Sequence, residues 1–210
     1  MNRSSKPFLV AIAGGSGSGK TWLAQALENR LAHEAARLSL DDFYRDLSGL
    51  PPEEREKVNF DHPEALDWES LRQTLERLKA GAPAAVPEYD FAAHTRRPRR
   101  RRMEPRPWIL LEGLWTLRPE WLRRMTDQAI YVECPLEERW KRRLNRDTLE
   151  RRRTEESVRR QFQTQVLPMH ERFVAPQRRF ADRIVVSPVS EAEVAALAED
   201  LRRAARRELP

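Results

Sequence analysis

The residues with the clearest chemical meaning form a glycine-rich segment that reads Gly14-Gly15-Ser16-Gly17-Ser18-Gly19-Lys20-Thr21. This segment matches the pattern G-x-x-x-x-G-K-[ST], in which backbone N–H groups turn inward around phosphates. In that pattern the lysine, here Lys20, reaches the β- and γ-phosphates, and the hydroxyl, here Thr21, binds Mg²⁺. The alternative is a glycine-rich turn without a ligand. The pattern predicts a binding site for a nucleoside triphosphate.

Carboxylates follow two predicted strands farther along the chain. Asp41 and Asp42 come after the segment 37–40, and Glu112 comes after Trp108–Leu111. Phosphoryl transfer needs a residue that takes the proton of the acceptor hydroxyl and carboxylates that hold Mg²⁺. In a parallel sheet such residues lie at the carboxyl ends of the strands. The competing interpretation of the two aspartates is a turn or helix cap, which is common directly after a strand.

The elements that position these residues alternate along the chain. Short apolar runs predict buried strands at residues 8–13, 108–111, 129–132 and 184–186, and residues 37–40 are predicted to form a further short strand. Leucines every three or four residues predict helices between them, Pro168 predicts a kink, and Ser190 with Glu193 predicts a capping box. This alternation predicts an α/β fold with a five-stranded parallel sheet flanked by helices, in one domain over residues 1–210.

The charge distribution is uneven. The 210 residues contain 39 Lys and Arg against 33 Asp and Glu, a net charge of +6. The segment Arg96–Arg106 holds seven arginines and one glutamate, so it carries the whole excess. A nucleic-acid-binding protein that uses this segment is therefore one alternative function.

The expected compartment is reducing, because the lone Cys134 cannot form an internal disulfide. The apolar run 8–13 is too short for a signal peptide, and no stretch approaches the roughly 20 apolar residues of a membrane span. We expect a soluble, cytoplasmic protein.

Several blocks beyond the phosphate loop resemble the uridine–cytidine kinase family of P-loop nucleoside kinases. They occur in the family's order over about residues 8–186, namely Ser39–Arg45, Asn59–Asp67, Pro87–His94, Ile109–Gly113 and Arg142–Gln161. The resemblance implies a P-loop NTPase fold, with a nucleoside-covering β-hairpin at about residues 83–107 and a helical lid at about 139–160. It implies that ATP, or else GTP, together with Mg²⁺, phosphorylates the 5′-hydroxyl of uridine and cytidine. It also implies that the chain forms a homo-oligomer.

The resemblance also implies roles for individual residues. Asp41 would be the catalytic base beside Lys20, and Mg²⁺ would be held by Thr21, Asp41 and Glu112. The ribose hydroxyls would contact Asp61 and Arg143. Further substrate contacts would come from Tyr89, Phe91, His94, Arg153 and Gln161, where the first three enclose the pyrimidine. The phosphates of ATP would contact Gly14–Thr21, Arg146 and Arg151.

Other interpretations remain open at single positions. Asp61 could cap a helix that starts at Pro63, and Tyr89 with Phe91 could be edge-strand packing. His33 and His170 are expected on the surface of helices, and Cys134 is expected to be buried. A different ribosyl substrate, such as nicotinamide riboside, is the alternative within enzymes.

Overall fold

The computed structural model describes residues 6–32, 34–150 and 152–207. Its strands are β1 Phe8–Gly14, β2 Ala35–Ser39, β3 Ala84–Val86, β4 Tyr89–Asp90, β5 Thr95–Arg96, β6 Arg101–Met103, β7 Trp108–Gly113, β8 Gln128–Glu133 and β9 Arg183–Val186. Five of them form one parallel sheet in the order β2-β7-β1-β8-β9, which confirms the predicted fold class. Every residue of β1 and β7 is buried, as expected for strands that are covered on both faces.

Helices cover both faces of this sheet. They are α1 Lys20–Arg30, α2 Pro52–Arg55, α3 Trp68–Lys79, α4 Glu120–Met125, α5 Leu136–Leu149, α6 Glu155–Gln161, α7 Leu167–Met169 and α8 Glu191–Arg207. On one face Val10 and Ile12 pack with α1 and α8, and on the other Leu9 and Ala11 pack with α3. None of the helices in the described part of the chain combines the length and apolarity that a bilayer crossing requires.

The second strand ends earlier than predicted. The sequence indicated 37–40, whereas β2 ends at Ser39 and a 3₁₀ turn follows over Leu40–Phe43. The turn begins there because the Ser39 hydroxyl accepts a hydrogen bond from the backbone N–H of Asp41 at 3.3 Å. This cap fixes the backbone of Asp41 just beyond the carboxyl edge of the sheet.

The chain around Pro168 winds more widely than an α-helix. Between α6 and α7, and again after α7, it makes π-helical turns over Phe162–Val166 and His170–Val174. Proline has no N–H to donate within a helix, and a wider turn accommodates that loss. The final helix has the predicted capping box, in which the N–H of Ser190 donates to the Glu193 carboxylate at 2.8 Å.

The segment between α3 and β7 leaves the main sheet. Strand β3 pairs antiparallel with β6, and β4 pairs antiparallel with β5. This hairpin lies over the carboxyl end of the sheet, where the ring of Tyr89 packs on the ring of Tyr44 with their centroids 5.4 Å apart.

Candidate active site

The glycine-rich loop connects β1 to the first turn of α1. Gly17 has φ +78°, and a Cβ there would lie 2.5 Å from the carbonyl oxygen of Arg139. A side chain is therefore excluded both by the backbone conformation and by the neighbouring helix. Arg143 reaches the loop from α5 and donates to the Ser16 hydroxyl at 3.0 Å. The loop thus presents its backbone at a helix N-terminus, which favours anions.

Two carboxylates lie beside this loop. Parallel pairing places Ser39 of β2 next to Glu112 of β7, so Asp41 and Glu112 meet at the same edge. Glu112 is 3% exposed, and burial raises its pKa against the opposing charge of Lys20. The charge of Asp41 also raises that pKa, while hydrogen bonds from Ser39 and Thr21 lower it.

The donor set at this edge suits a hard divalent cation. It comprises two carboxylates, Asp41 and Glu112, and the hydroxyl of Thr21, and Mg²⁺ prefers oxygen ligands of this kind. A buried carboxylate whose charge is only partly balanced by Lys20 is stabilised by such an ion. Within the described ranges no cluster of three or more His, Cys, Asp or Glu side chains forms an all-protein metal cage. Mg²⁺ here would therefore depend on substrate phosphates and water for its other ligands.

A third acid, Asp61, lies opposite Arg143. Both are buried, and Arg143 Nη1 lies 3.9 Å from Asp61 Oδ1. Burial raises the pKa of Asp61, which Arg143 opposes. The alternative role of Asp61 as a helix cap is wrong, because the turn at Pro63 is capped by the His62 side chain. The Nδ1 atom of His62 accepts a hydrogen bond from the backbone N–H of Glu64 at 3.3 Å.

Residues of the predicted lid gather around Arg143. Gln161 of α6 accepts hydrogen bonds from Arg143, at 2.9 Å, and from Arg153. Asp147, which is fully buried, lies 2.8 Å from Arg146 and 3.4 Å from the Nε of Arg143. Sequence reasoning gave Asp147 no role, although an acid within a run of arginines was a visible signal. Arg151, assigned to phosphate contact, lies outside the described residues.

Aromatic residues of the hairpin face the same opening. The His94 ring stacks on Phe60, with centroids 4.6 Å apart and planes 17° apart. Burial lowers the pKa of His94, so its imidazole is neutral near pH 7. The Phe91 ring packs 5.3 Å from Tyr89, and its side chain is 46% exposed. Sequence reasoning missed Phe60, although it lies within the quoted block Asn59–Asp67.

Burial at Tyr89 leaves one polar atom without a partner. Its hydroxyl is buried and has no hydrogen-bond partner within the described ranges. Burial also raises the pKa of this phenol to about 12, so it stays protonated. A buried hydroxyl of this kind is available to a ligand group.

The expected burial of His170 and Cys134 is corrected: His170 was expected on the surface and Cys134 in the interior. His170 is partly buried against the phosphate loop, where its Nδ1 would lie 2.9 Å from a Cβ at Gly15. Burial and the neighbouring Arg139 charge lower the pKa of His170 to about 4. Cys134 is only partly buried, and Arg142 points at its Sγ from 3.9 Å. His33 lies outside the described residues.

The arginine run does not form one solvated patch. Arg96 turns inward, where it lies 3.0 Å from an Asp67 oxygen and donates to the Tyr44 carbonyl at 2.8 Å. Arg101 lies 3.5 Å from Asp42, whose pKa burial raises to about 6. The remaining arginines of the run are exposed.

Sequence comparison gives close relatives. Two uridine kinases match most of this chain, one from Chloroflexus aurantiacus and one from Halobacterium salinarum. The first is 46% identical over 182 residues, which cover 86% of this chain and 87% of the relative. The second is 40% identical over 195 residues, which cover 93% of this chain and 87% of the relative.

Structural comparison gives the same fold at low identity. D-glycerate 3-kinase from Cryptococcus neoformans superposes with a TM-score of 0.67 and 21% identity, covering 89% of each chain. The sequence profile of the Phosphoribulokinase / Uridine kinase family matches residues 9–195, which include the phosphate loop, both edge carboxylates and the lid. With its phosphate loop, edge carboxylates and lid arginines in this arrangement, the chain belongs to the Phosphoribulokinase / Uridine kinase family.

Proposed function

We propose that this chain is a uridine kinase, which transfers the γ-phosphoryl group of ATP to the 5′-hydroxyl of uridine and cytidine. One observation carries the proposal. The phosphate loop and the edge carboxylates lie next to the buried pair of Asp61 and Arg143 and next to an opening that is lined by aromatic side chains of the hairpin. Relatives that are 40% to 46% identical over most of the chain are uridine kinases, which supports the same substrate class.

The phosphate side uses the loop and its lysine. Backbone N–H groups of residues 14–21 bind the phosphates, and Lys20 compensates the charge of the transferring group. Thr21, Asp41 and Glu112 hold Mg²⁺, which when bound neutralises charge that develops on the phosphate oxygens. Arg146 and Arg151 bind the phosphates from the lid, since guanidinium groups match phosphate geometry.

Asp41 accepts the proton of the 5′-hydroxyl as that oxygen attacks phosphorus. The Ser39 cap fixes the Asp41 backbone, which keeps the carboxylate aimed at the acceptor. A positioned general base contributes about 10²–10⁴-fold to the rate. Asp41 is only partly buried, so the incoming hydroxyl can reach it.

The nucleoside side uses the buried pair and the hairpin. Asp61 accepts hydrogen bonds from the ribose 2′- and 3′-hydroxyls, and Arg143 holds the carboxylate in place. Tyr89, Phe91 and His94 enclose the pyrimidine. A neutral imidazole at His94 offers a donor or an acceptor according to its tautomer, which suits both the keto oxygen of uridine and the amino group of cytidine. Arg153 and Gln161 complete the substrate side beneath the lid.

Turnover across a nucleoside panel tests the proposal. ADP production with ATP and Mg²⁺ would be measured for uridine, cytidine, their 2′-deoxy forms, adenosine and nicotinamide riboside. We expect turnover of uridine and cytidine with poor use of the deoxy forms, because a site built to pair a hydroxyl rejects the analogue that lacks it. Turnover of nicotinamide riboside in preference to both pyrimidine nucleosides would overturn the substrate assignment.

A further inference from the structure

A groove lies on the side of the hairpin away from the candidate active site. It has a volume of about 420 Å³, is open to solvent, and is bounded by α3 on one side and by β3, β6 and their connections on the other. Its polar lining comprises Ser70, Gln73, Thr74, Arg77, Arg100 and Arg102. None of these residues belongs to the phosphate loop, the edge carboxylates or the lid.

Three arginines from different elements converge on this groove. Arg77 of α3 is anchored through its Nε, which donates to the Pro83 carbonyl at 2.9 Å. Arg102 of β6 uses its Nε in an ion pair with Glu104 at 2.6 Å. Both anchors hold the Nε of the guanidinium and leave terminal nitrogens for another partner. Arg100 has no hydrogen bond or ion pair with any residue in the described ranges.

Strand geometry explains why the arginines separate. Successive side chains of a strand point to opposite faces. Arg102 pairs opposite the exposed Ala85 and faces the groove, whereas Arg101 pairs opposite the buried Val86 and reaches Asp42 on the other side. Arg101 thus forms an ion pair with Asp42, whereas Arg100 and Arg102 contribute their charges to the groove.

The lining indicates the chemical class of the occupant. Guanidinium groups bind phosphate in a bidentate manner, and the volume is that of a small-molecule site. The nearby acids are already engaged, since Glu104 pairs with Arg102 and Glu69 accepts from the Gln73 amide at 2.8 Å. Among the described residues no aromatic side chain lines the groove, whereas single-stranded nucleic acids are held by base stacking on aromatic rings. We propose that the groove binds a phosphorylated small molecule that carries at least two negative charges.

Pyrophosphate is the probe, and calorimetric binding to the full chain is the readout. The Lys20→Met substitution is placed in every protein compared, so that the phosphate loop contributes little to the signal. Arg100→Gln removes one groove arginine without breaking any internal contact, and it should weaken binding by about tenfold. Arg99→Gln is the matched control, because Arg99 is an equally exposed neighbour that does not line the groove. This control should change the affinity by less than about twofold.

Two results would overturn the proposal. One is equal weakening by Arg99→Gln and Arg100→Gln, which would indicate attraction by the whole run. The other is an RNA oligonucleotide that outcompetes pyrophosphate and loses affinity equally in both variants. Binding is read without turnover, so failure here is distinguishable from failure of the proposed kinase activity.

Discussion

Gly113 ends β7 directly after Glu112 and lies against Leu40, the residue before Asp41. A methyl group added at Gly113 would lie 2.5 Å from both Cβ and Cγ of Leu40 and 2.6 Å from its Cδ1. Non-bonded carbons prefer separations of about 3.5–4.0 Å, so Leu40 would have to move by about 1 Å. Leu40 is only 1% exposed, which leaves it little room to move without carrying the Asp41 backbone along.

The expected effects of Gly113→Ala follow from this displacement. Overpacking a core costs about 1–3 kcal/mol of unfolding free energy. For a chain of this size that lowers the melting temperature by about 2–4 °C for each kcal/mol. Misplacing a catalytic group by about 1 Å can lower the rate by about 100-fold. We therefore expect kcat for uridine to fall by about 10- to 100-fold, with a much smaller change in the KM for ATP.

Steady-state kinetics and thermal unfolding of the same preparation measure both effects. Gly49→Ala is the matched control, since a Cβ at Gly49 would meet no heavy atom within 4 Å. The control should keep the wild-type kcat and melting temperature. Wild-type kcat in Gly113→Ala would refute the inference that contact with Leu40 positions Asp41.

The remaining predictions concern His170, Arg96 and Asp61. The folded protein favours the neutral imidazole of His170, because burial lowers its pKa from 6.5 to about 4. The contribution of His170 to the unfolding free energy is therefore fully present above pH 6.5 and is lost as the pH falls toward 4. The unfolding free energy of His170→Phe should therefore fall less on acidification than that of the wild type, by up to about 3 kcal/mol. Urea unfolding at several pH values measures this difference. Arg96→Ala should cost about 2 kcal/mol of unfolding free energy, because it removes the ion pair with Asp67 and the hydrogen bond to the Tyr44 carbonyl. The control Arg97→Ala should cost less than about 0.5 kcal/mol, because the ion pair of Arg97 with Asp90 is exposed. Equal losses of unfolding free energy in the two variants would contradict a structural role for Arg96. Asp61→Asn should reduce the preference for uridine over 2′-deoxyuridine by about tenfold or more, and an unchanged ratio of kcat/KM values would exclude Asp61 from ribose recognition.

The main sheet and the phosphate loop could be predicted from sequence because their signals are local. Strands such as β1 and β7 are continuous apolar runs since both faces are buried, and the loop pattern spans eight consecutive residues. The parallel arrangement followed from the alternation of strands and helices. The position of Asp41 and Glu112 at one edge then followed from the sheet itself.

Other features depend on contacts between distant segments. Arg143 meets Ser16 across 127 positions of sequence, and Arg96 meets the Tyr44 carbonyl across 52. Helical periodicity placed His170 on a helix but could not show that the phosphate loop covers that face. The same limit hid the Phe60 ring beneath His94 and the division of the arginine run between two sides of β6.

The substitution Asp41→Asn tests whether Asp41 is the general base. The substitution keeps the size of the side chain and removes its ability to take the proton of the 5′-hydroxyl. We expect kcat for uridine to fall by about 100-fold or more, while ATP binding measured by calorimetry in the absence of Mg²⁺ stays close to wild type. Near-wild-type turnover in Asp41→Asn would contradict the role of Asp41 as the general base.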